Sequence, residues 1–253
     1  MTVWTRITDL LRGGPVHMTL LDPASIPGHD GADIAVEAAG LGTHAFMVGG
    51  STDVNSENLD DLVREIKERT RLPVIYFPSS GSAFSARVDA VWFMSMLNSR
   101  NPRFIIGEQA LGAPLLKALA IEAIPMGYLI VEPGMTVGKV SEAELLPRTD
   151  AGAELAARYA LAAELFGMRA VYLEAGSGAG EPVPVSMVKR VAETISVPLV
   201  VGGGLRTHRD ARERLDAGAR ILVTGTVAEQ RQFDRLTEVV EAVLEARRGA
   251  KGS

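Results

Sequence analysis

Three glycine-rich turns, YLEAGSGAG (172–180), VGGGLRT (201–207) and VTGTVAE (223–229), each follow a short apolar run in this 253-residue chain. Backbone N–H groups crowded into such turns, with no bulky side chains above them, can converge on a phosphate, and two of the turns are expected to lead into helix N-termini, which suit an anion. Glycines also make plain tight turns, so one alone says little; three in succession favour a phosphate. Within the run 170–174, Tyr172 and Glu174 share one face while Val171 and Leu173 share the other. The apolar pair suits a helix-facing side, so Tyr172 and Glu174 should project into the site. A carboxylate beside a bound phosphate is a candidate general base, and partial burial would lift its pKa towards neutrality. The competing reading is a structural ion pair with an Arg or Lys.

Two more turns carry hard oxygen donors. The run ending LLDP places Asp22 at its terminus, and VGGST (48–52) places Ser51 similarly one run later. Mg²⁺ takes only one or two protein oxygens and completes its shell with water and substrate phosphates, so Asp22 and Ser51 suffice in principle. An Asp before Pro is also a common turn former. The hydroxyl-rich turn PSSGS (78–82) is expected to contact the same polar ligand. Beside it, Trp92, Phe93, Met94 and Met96 form a bulky apolar stripe that reads as core, as a subunit interface or as a contact for an apolar ligand.

These turns need elements to hold them. Apolar runs at 16–21, 45–48, 74–77, 90–94, 124–131, 170–174, 199–201 and 221–223 alternate with helical periodicity at 59–70, 111–120, 152–166, 185–195 and 209–217. Strands alternating with helices imply right-handed crossovers and a parallel sheet, and eight of them close most economically into a (β/α)₈ barrel, with ligands at the carboxyl ends of the strands. Ser56 is expected to precede one helix, Pro184 and Val185 to open another, and Gly167 and Gly218 to stop two more. The interval 77–90 (FPSSGSAFSARVDA) is short and Ser/Gly-rich for an ordinary crossover helix, which reads either as a missing helix that leaves a groove on the barrel wall or as a shortened loop or misplaced strand. No linker divides residues 1–253, which read as one domain with a frayed tail over 246–253.

Composition removes whole classes. With 26 Lys plus Arg against 31 Asp plus Glu, the charge of -5 has the wrong sign for a nucleic-acid binder. Cys is absent, which excludes disulfide scaffolds, iron–sulfur clusters and thiol catalysis. Arg6, Asp9 and Arg12 interrupt the N-terminal apolar residues, so no signal peptide is read there, and no stretch reaches a membrane span; a cytoplasmic location is expected. His17, His29, His44 and His208 lack zinc-ligand spacing, and no dinucleotide fingerprint, P-loop or nucleophile elbow is present.

The segments HMTLLDP (17–23), VGGST, VIYFPSS (74–80), FMSMLNSRNPRFIIG (93–107), YLEAGSGA, VGGG and TGT (224–226) span nearly the whole chain in order. Together they resemble the archaeal geranylgeranylglyceryl phosphate synthases, with their bacterial heptaprenylglyceryl phosphate relatives; the length and the segment 132–148 resemble the second archaeal subgroup. The resemblance implies a modified TIM barrel whose third helix is replaced by a strand or loop. It also implies a Mg²⁺-dependent prenyltransferase that joins sn-glycerol 1-phosphate to geranylgeranyl diphosphate for ether-lipid synthesis, acting as a dimer or hexamer. Matched by position, Asp22 and Ser51 would hold the metal. Tyr172, Leu173, Glu174, Ala175, Gly176, Ser177, Gly178, Gly203, Gly204, Gly225 and Thr226 would hold the glycerol phosphate, with Glu174 as base. Two departures stand out: Ala24 and Ser25 follow the DP, where the family often has a Lys, and Asp53 follows GGST, where it often has Gly. The alternatives are a longer prenyl donor, a phosphosugar isomerase or aldolase barrel, and a flavin carrier.

Overall fold

The computed structural model describes residues 1–78 and 80–250. Eight parallel strands close into a barrel in sequence order, β1 (Val16–Leu21), β2 (Ala45–Val48), β3 (Val74–Tyr76), β4 (Ala90–Met96), β5 (Glu122–Ile130), β6 (Ala170–Glu174), β7 (Leu199–Gly202) and β8 (Ile221–Thr224). Closure is by β1 against β8, with Thr19 opposite Thr224. Strands buried on both faces should be mostly apolar, which is how these runs read, with His17 and Thr19 of β1, Ser95 of β4 and Glu174 of β6 among the buried polar exceptions. Alternate residues, among them Met18, Met47, Trp92, Met126, Tyr128 and Tyr172, fill the interior, while their neighbours face the helical layer.

The helices are α1 (Val3–Arg12), α2 (Gly28–Leu41), α3 (Ser56–Arg69), α4 (Glu108–Ala118), α5 (Met135–Val140), α6 (Asp150–Leu165), α7 (Val185–Ala192), α8 (His208–Asp216), α9 (Thr226–Glu229) and α10 (Phe233–Ala250), with a π-helical turn at Arg103–Gly107 before α4. The periodicity finds α3, α4, α6, α7 and α8 but not the rest. Gly- and Ala-rich α2 has only a weak apolar stripe, and its N-cap Pro27 makes no side-chain cap. Helix α1 plugs the amino end of the barrel: Ile7 and Leu11 join the interior, Trp4 meets Trp92 edge-on at 6.2 Å, and Glu122 accepts the Val3 N–H at 2.6 Å.

Some expectations shift. Ser56 is the first residue of α3 and its cap is Asn55, which pairs reciprocally with Asn58. The Pro184 start and the left-handed Gly167 and Gly218 stops are as expected. The tail is not frayed as far back as 246, because α10 continues to Ala250; residues 251–253 lie outside the described set. Trp92 is interior and 1% exposed, so it forms no subunit interface. The pleat splits the apolar stripe, turning Trp92, Met94 and Met96 inward and Phe93 outward, because both faces of a parallel strand are buried. Among the described residues of 77–89 no helix forms, and that gap opens a groove against α4. Among the described residues no helix is long and apolar enough to cross a membrane.

Two histidines far apart in the chain meet beneath the closure. The ring of fully buried His17 bonds Thr43 Oγ1 at 2.9 Å and Thr224 Oγ1 at 3.0 Å, and the His17 backbone N–H donates to His44 Nδ1 at 3.2 Å. Burial, then the His44 neighbour, lowers His17 to about 3; burial lowers His44 to about 4. Both histidines titrate lower in the fold than in the unfolded chain, which therefore takes up protons first as pH falls. Stability is complete above about pH 6.5 and is lost on the way down towards these values. Between pH 7 and pH 5, His17 alone should forfeit on the order of 2 kcal/mol. Urea midpoints at the two pH values should differ by less in His17→Gln than in the unsubstituted chain. An unchanged difference would refute this.

Candidate functional site

Every candidate turn lies at the carboxyl mouth of the barrel, where three neighbouring cavities share lining residues. The first is an open apolar groove of about 540 Å³, walled by Tyr76, Phe84, Val91 and Phe93 on one side and by Gln109, Gly112 and Leu116 of α4 on the other. The second, about 730 Å³, contains Asp22, Ser51, Phe77, Tyr128, Glu174 and Glu229. The third, about 420 Å³, is built by Tyr172, Glu174, Ser177, Gly203, Gly204, Gly225 and Thr226. Pro78, Met94 and Met96 border both the first and the second, while Leu20, Glu174, Ser177 and Gly225 border both the second and the third. A ligand could therefore run from an apolar flank, past carboxylates, to a glycine cradle.

The third cavity is shaped for a small anion. Ser177 Oγ and Thr226 Oγ1 lie 2.9 Å apart, and the Gly178 N–H donates to Thr226 Oγ1 at 3.1 Å, joining the turns after β6 and β8. Gly203 has φ +79°, and a Cβ there would overlap Glu174 Oε1 and crowd the Gly176 N–H. Only glycine lets the turn after β7 pass so close to the carboxylate. Gly203→Ala should thus weaken inorganic phosphate binding about tenfold or more, from a clash combined with left-handed strain. Calorimetric titration checks this; unaltered affinity would mean that the turn is not part of the cradle.

Glu174 sits where the second and third cavities meet. It is 6% exposed, accepts the Gly176 N–H at 2.6 Å, and has no Arg or Lys partner among the described residues, which removes the structural ion pair. Burial raises its pKa; the Gly176 amide and the Tyr172 and Tyr128 hydroxyls oppose the rise. Tyr172 stands near enough to stabilise the carboxylate, yet its buried hydroxyl meets no partner at hydrogen-bonding geometry. An orphaned hydroxyl beside a buried carboxylate is a place for a ligand hydroxyl. Phe77, Tyr128 and Tyr172 pack as an aromatic cluster, with Tyr128 and Tyr172 5.1 Å apart at 83°.

On the opposite rim, Asp22 Oδ1 accepts the Ala24 N–H at 2.9 Å, and the Asp22 N–H donates to Glu229 Oε1 at 2.9 Å. A Cβ at Gly50 would overlap the Asp22 carboxylate, so Gly50 is what lets the Ser51 turn close over it. Burial raises Asp22, with Asp53 adding to the rise, and the Ala24 amide and Ser25 hydroxyl counter it. Burial, with Asp22 nearby, raises Glu229 to about 7. Carboxylates whose ionised form is disfavoured by burial and by a neighbouring acid, Asp53 for Asp22 and Asp22 for Glu229, fit a hard cation that favours their charged forms. No group of three or more His, Asp or Glu is placed to hold a metal among the described residues, so such an ion would lean on Asp22, Ser51, water and substrate oxygens. Of the two departures, Ser25 steadies Asp22, and Asp53 makes the rim more negative.

Several expected residues are elsewhere. Leu173 and Ala175 pack into the helical layer, because the pleat turns them away from the cavity; their side chains touch no ligand space. Gly176 contributes its amide to Glu174. Ser80 and Ser82 pair with each other at 2.8 Å beside the apolar groove, not at the anion cradle, and Ser79 lies outside the described residues. The sequence reading missed Phe77, Tyr128, Arg206 and Glu229, and also Val137 and Val140 of α5, which border the second cavity. Tyr128 was findable, since it shares a face of β5 with Met126 and Ile130. Glu229 stands at the end of a quoted turn.

A model of the PcrB family matches residues 8–244. The chain is 49% identical over 250 residues to the geranylgeranylglyceryl phosphate synthase of Thermococcus kodakarensis, covering 99% of this chain and 98% of that one. Among solved structures it is similar to (S)-3-O-geranylgeranylglyceryl phosphate synthase from Thermoplasma acidophilum in complex with the substrate sn-glycerol-1-phosphate: TM-score 0.93, 45% identity, 97% and 99% of the two chains. It is also similar to wild-type GGGPS from Thermoplasma volcanium, with TM-score 0.91, 41% identity, and 96% and 98% coverage.

Proposed function

The chain belongs to the PcrB family, and from that premise we propose that it is a prenyltransferase joining sn-glycerol 1-phosphate to geranylgeranyl diphosphate, giving 3-O-geranylgeranyl-sn-glyceryl 1-phosphate and diphosphate. One observation carries this reading: Glu174 borders both the glycine cradle and the carboxylate-rimmed cavity, and the latter shares Pro78, Met94 and Met96 with the apolar groove. An acceptor phosphate, a reacting centre and a hydrocarbon tail thus have adjoining places in the required order.

The acceptor phosphate lies among Ser177, Gly203, Gly204, Gly225 and Thr226, which presents its hydroxyl to Glu174. That oxygen forms a bond to the allylic carbon as the bond from carbon to diphosphate breaks; the hydroxyl proton passes to Glu174, and both electrons of the broken bond leave with diphosphate. A base raised by burial binds that proton more strongly than an exposed carboxylate does. Fixing both substrates converts an encounter into an oriented approach. Asp22 and Ser51 would hold Mg²⁺, which supplies charge neutralisation for the departing diphosphate. The groove left by the missing helix shelters the tail, each buried CH₂ contributing about 0.8 kcal/mol. A homo-oligomer is supported by apolar side chains left in water, among them Leu111 of α4 at 61% and Leu165 and Phe166 at the end of α6 at 79% and 77%.

Incubation with Mg²⁺, geranylgeranyl diphosphate and labelled sn-glycerol 1-phosphate should move the label into an organic extract. Label that stays in water, or moves only with a longer donor, refutes the assignment.

A further inference from the structure

We propose that Arg206 is a binding residue for the acceptor phosphate, supplying the positive charge that the glycine cradle lacks. The inference rests on the assignment of that cavity to glycerol phosphate and adds a residue to it. Among the described residues lining the cavity, Arg206 is the one basic side chain and Glu174 the one acidic side chain. A phosphate seated there meets a carboxylate at close range inside a protein of net charge -5, so neutral amides and hydroxyls alone leave it facing an unfavourable field.

The guanidinium is held for this task. Its Nη1 donates to Gly180 O at 3.3 Å and to Gly204 O at 3.1 Å, and its Nη2 donates to Gly178 O at 3.3 Å. All three partners are backbone carbonyls, drawn from the two turns that follow β6 and β7. No carboxylate pairs with the guanidinium among the described residues. Asp210 is engaged instead with the backbone N–H groups of Arg206 and Thr207, at 3.1 and 3.0 Å. Arg206 therefore does two things at once. It neutralises the negative ends of three carbonyl dipoles at the rim of an anion site, and it keeps a formal charge that no side chain cancels. Its fork also ties together the turns that carry Ser177, Gly178, Gly203 and Gly204.

The test is calorimetric titration of the full chain with inorganic phosphate and with sn-glycerol 1-phosphate, alongside steady-state kinetics, for Arg206→Gln and Arg206→Lys. Arg206→Gln should weaken both ligands roughly tenfold to a hundredfold, as expected for losing a charge-assisted contact. The KM for glycerol phosphate should rise in step, while the KM for the prenyl donor and kcat at saturation stay near those of the unsubstituted chain. Arg206→Lys should recover a large part of the loss, since it keeps the charge but not the fork, and as the milder change it also guards against a Gln variant that fails to fold. Phosphate affinity unchanged in Arg206→Gln, a Lys variant no better than Gln, or parallel rises in both KM values would overturn the inference. If the unsubstituted chain binds phosphate but makes no prenylated product, the functional reading fails, and Arg206 is still judged by phosphate affinity.

Discussion

Glu174→Gln should lower kcat by roughly 10²–10⁴-fold, the usual contribution of a positioned general base, while sn-glycerol 1-phosphate still binds. Glutamine matches the carboxylate in size and can remain in the same place, but it cannot take the acceptor proton. The cradle itself is made of Ser177, Thr226 and glycine backbone, none of which the substitution removes. The pH profile supplies an independent readout. Because burial raises the folded-state pKa of Glu174, the carboxylate gains its proton as pH falls through a value above the ordinary carboxylate range. Below that value the base is blocked, so kcat/KM should fall on the acid side in the unsubstituted chain and lose this limb in the variant. Stability should run the other way. A carboxyl whose folded pKa is raised holds its proton more tightly in the fold than in the unfolded chain, so ionising it at neutral pH is unfavourable to folding. The variant should accordingly melt no lower at pH 8 than the parent. Near-parental kcat would remove Glu174 from the chemistry.

Asp22→Asn should reduce Mg²⁺-supported turnover by about 100-fold or more, in line with losing an anionic ligand to a catalytic ion. Asparagine keeps an oxygen able to accept the Ala24 N–H, and it removes a charge that burial and Asp53 already disfavour. Thermal stability should therefore hold while the Mg²⁺ concentration needed for half-activation rises. Inorganic phosphate should bind as before, since Asp22 borders the carboxylate-rimmed cavity and not the glycine cradle. Full activity of the unsubstituted chain in excess chelator, or parental metal dependence in the variant, would show that Asp22 holds no metal in the reaction.

The strands were readable because each apolar run is bounded by turn residues, and β1, β2 and β6 match their runs end to end. Alternation along β6 turned Tyr172 and Glu174 inward, as the pleat requires. The same logic could not orient β4, whose residues are apolar on both sides. Which of Trp92 and Phe93 faced inward depended on the neighbouring strands, and so did the reading of Trp92 as an interface residue. Helix α1 went unread although Val3, Trp4, Ile7, Leu10 and Leu11 recur at helical spacing, while α2, Gly/Ala-rich and without a side-chain N-cap, offered fewer local signals. The groove was foreseeable as one reading of a link short for a crossover helix. Its outer wall was not, since that wall is a face of α4 with no local motif.

Local order along the chain is written in neighbouring residues: turn glycines, apolar periodicity and an acid at the end of a strand all act within a few positions, so eight strands, five of the helices and the main candidate site residues could be read directly. Burial and proximity are different quantities, because they depend on residues that meet only when the sheet closes. Asp22 and Glu229 touch across 207 positions through the pairing of β1 with β8, and both carboxyls are raised because barrel closure buries them, although the Asp22 amide itself opposes the rise at Glu229. Tyr128 reaches Glu174, and Arg206 spans two turns, for the same reason. Desolvation and charge coupling fall steeply with distance, and the distances are set by closure of the barrel.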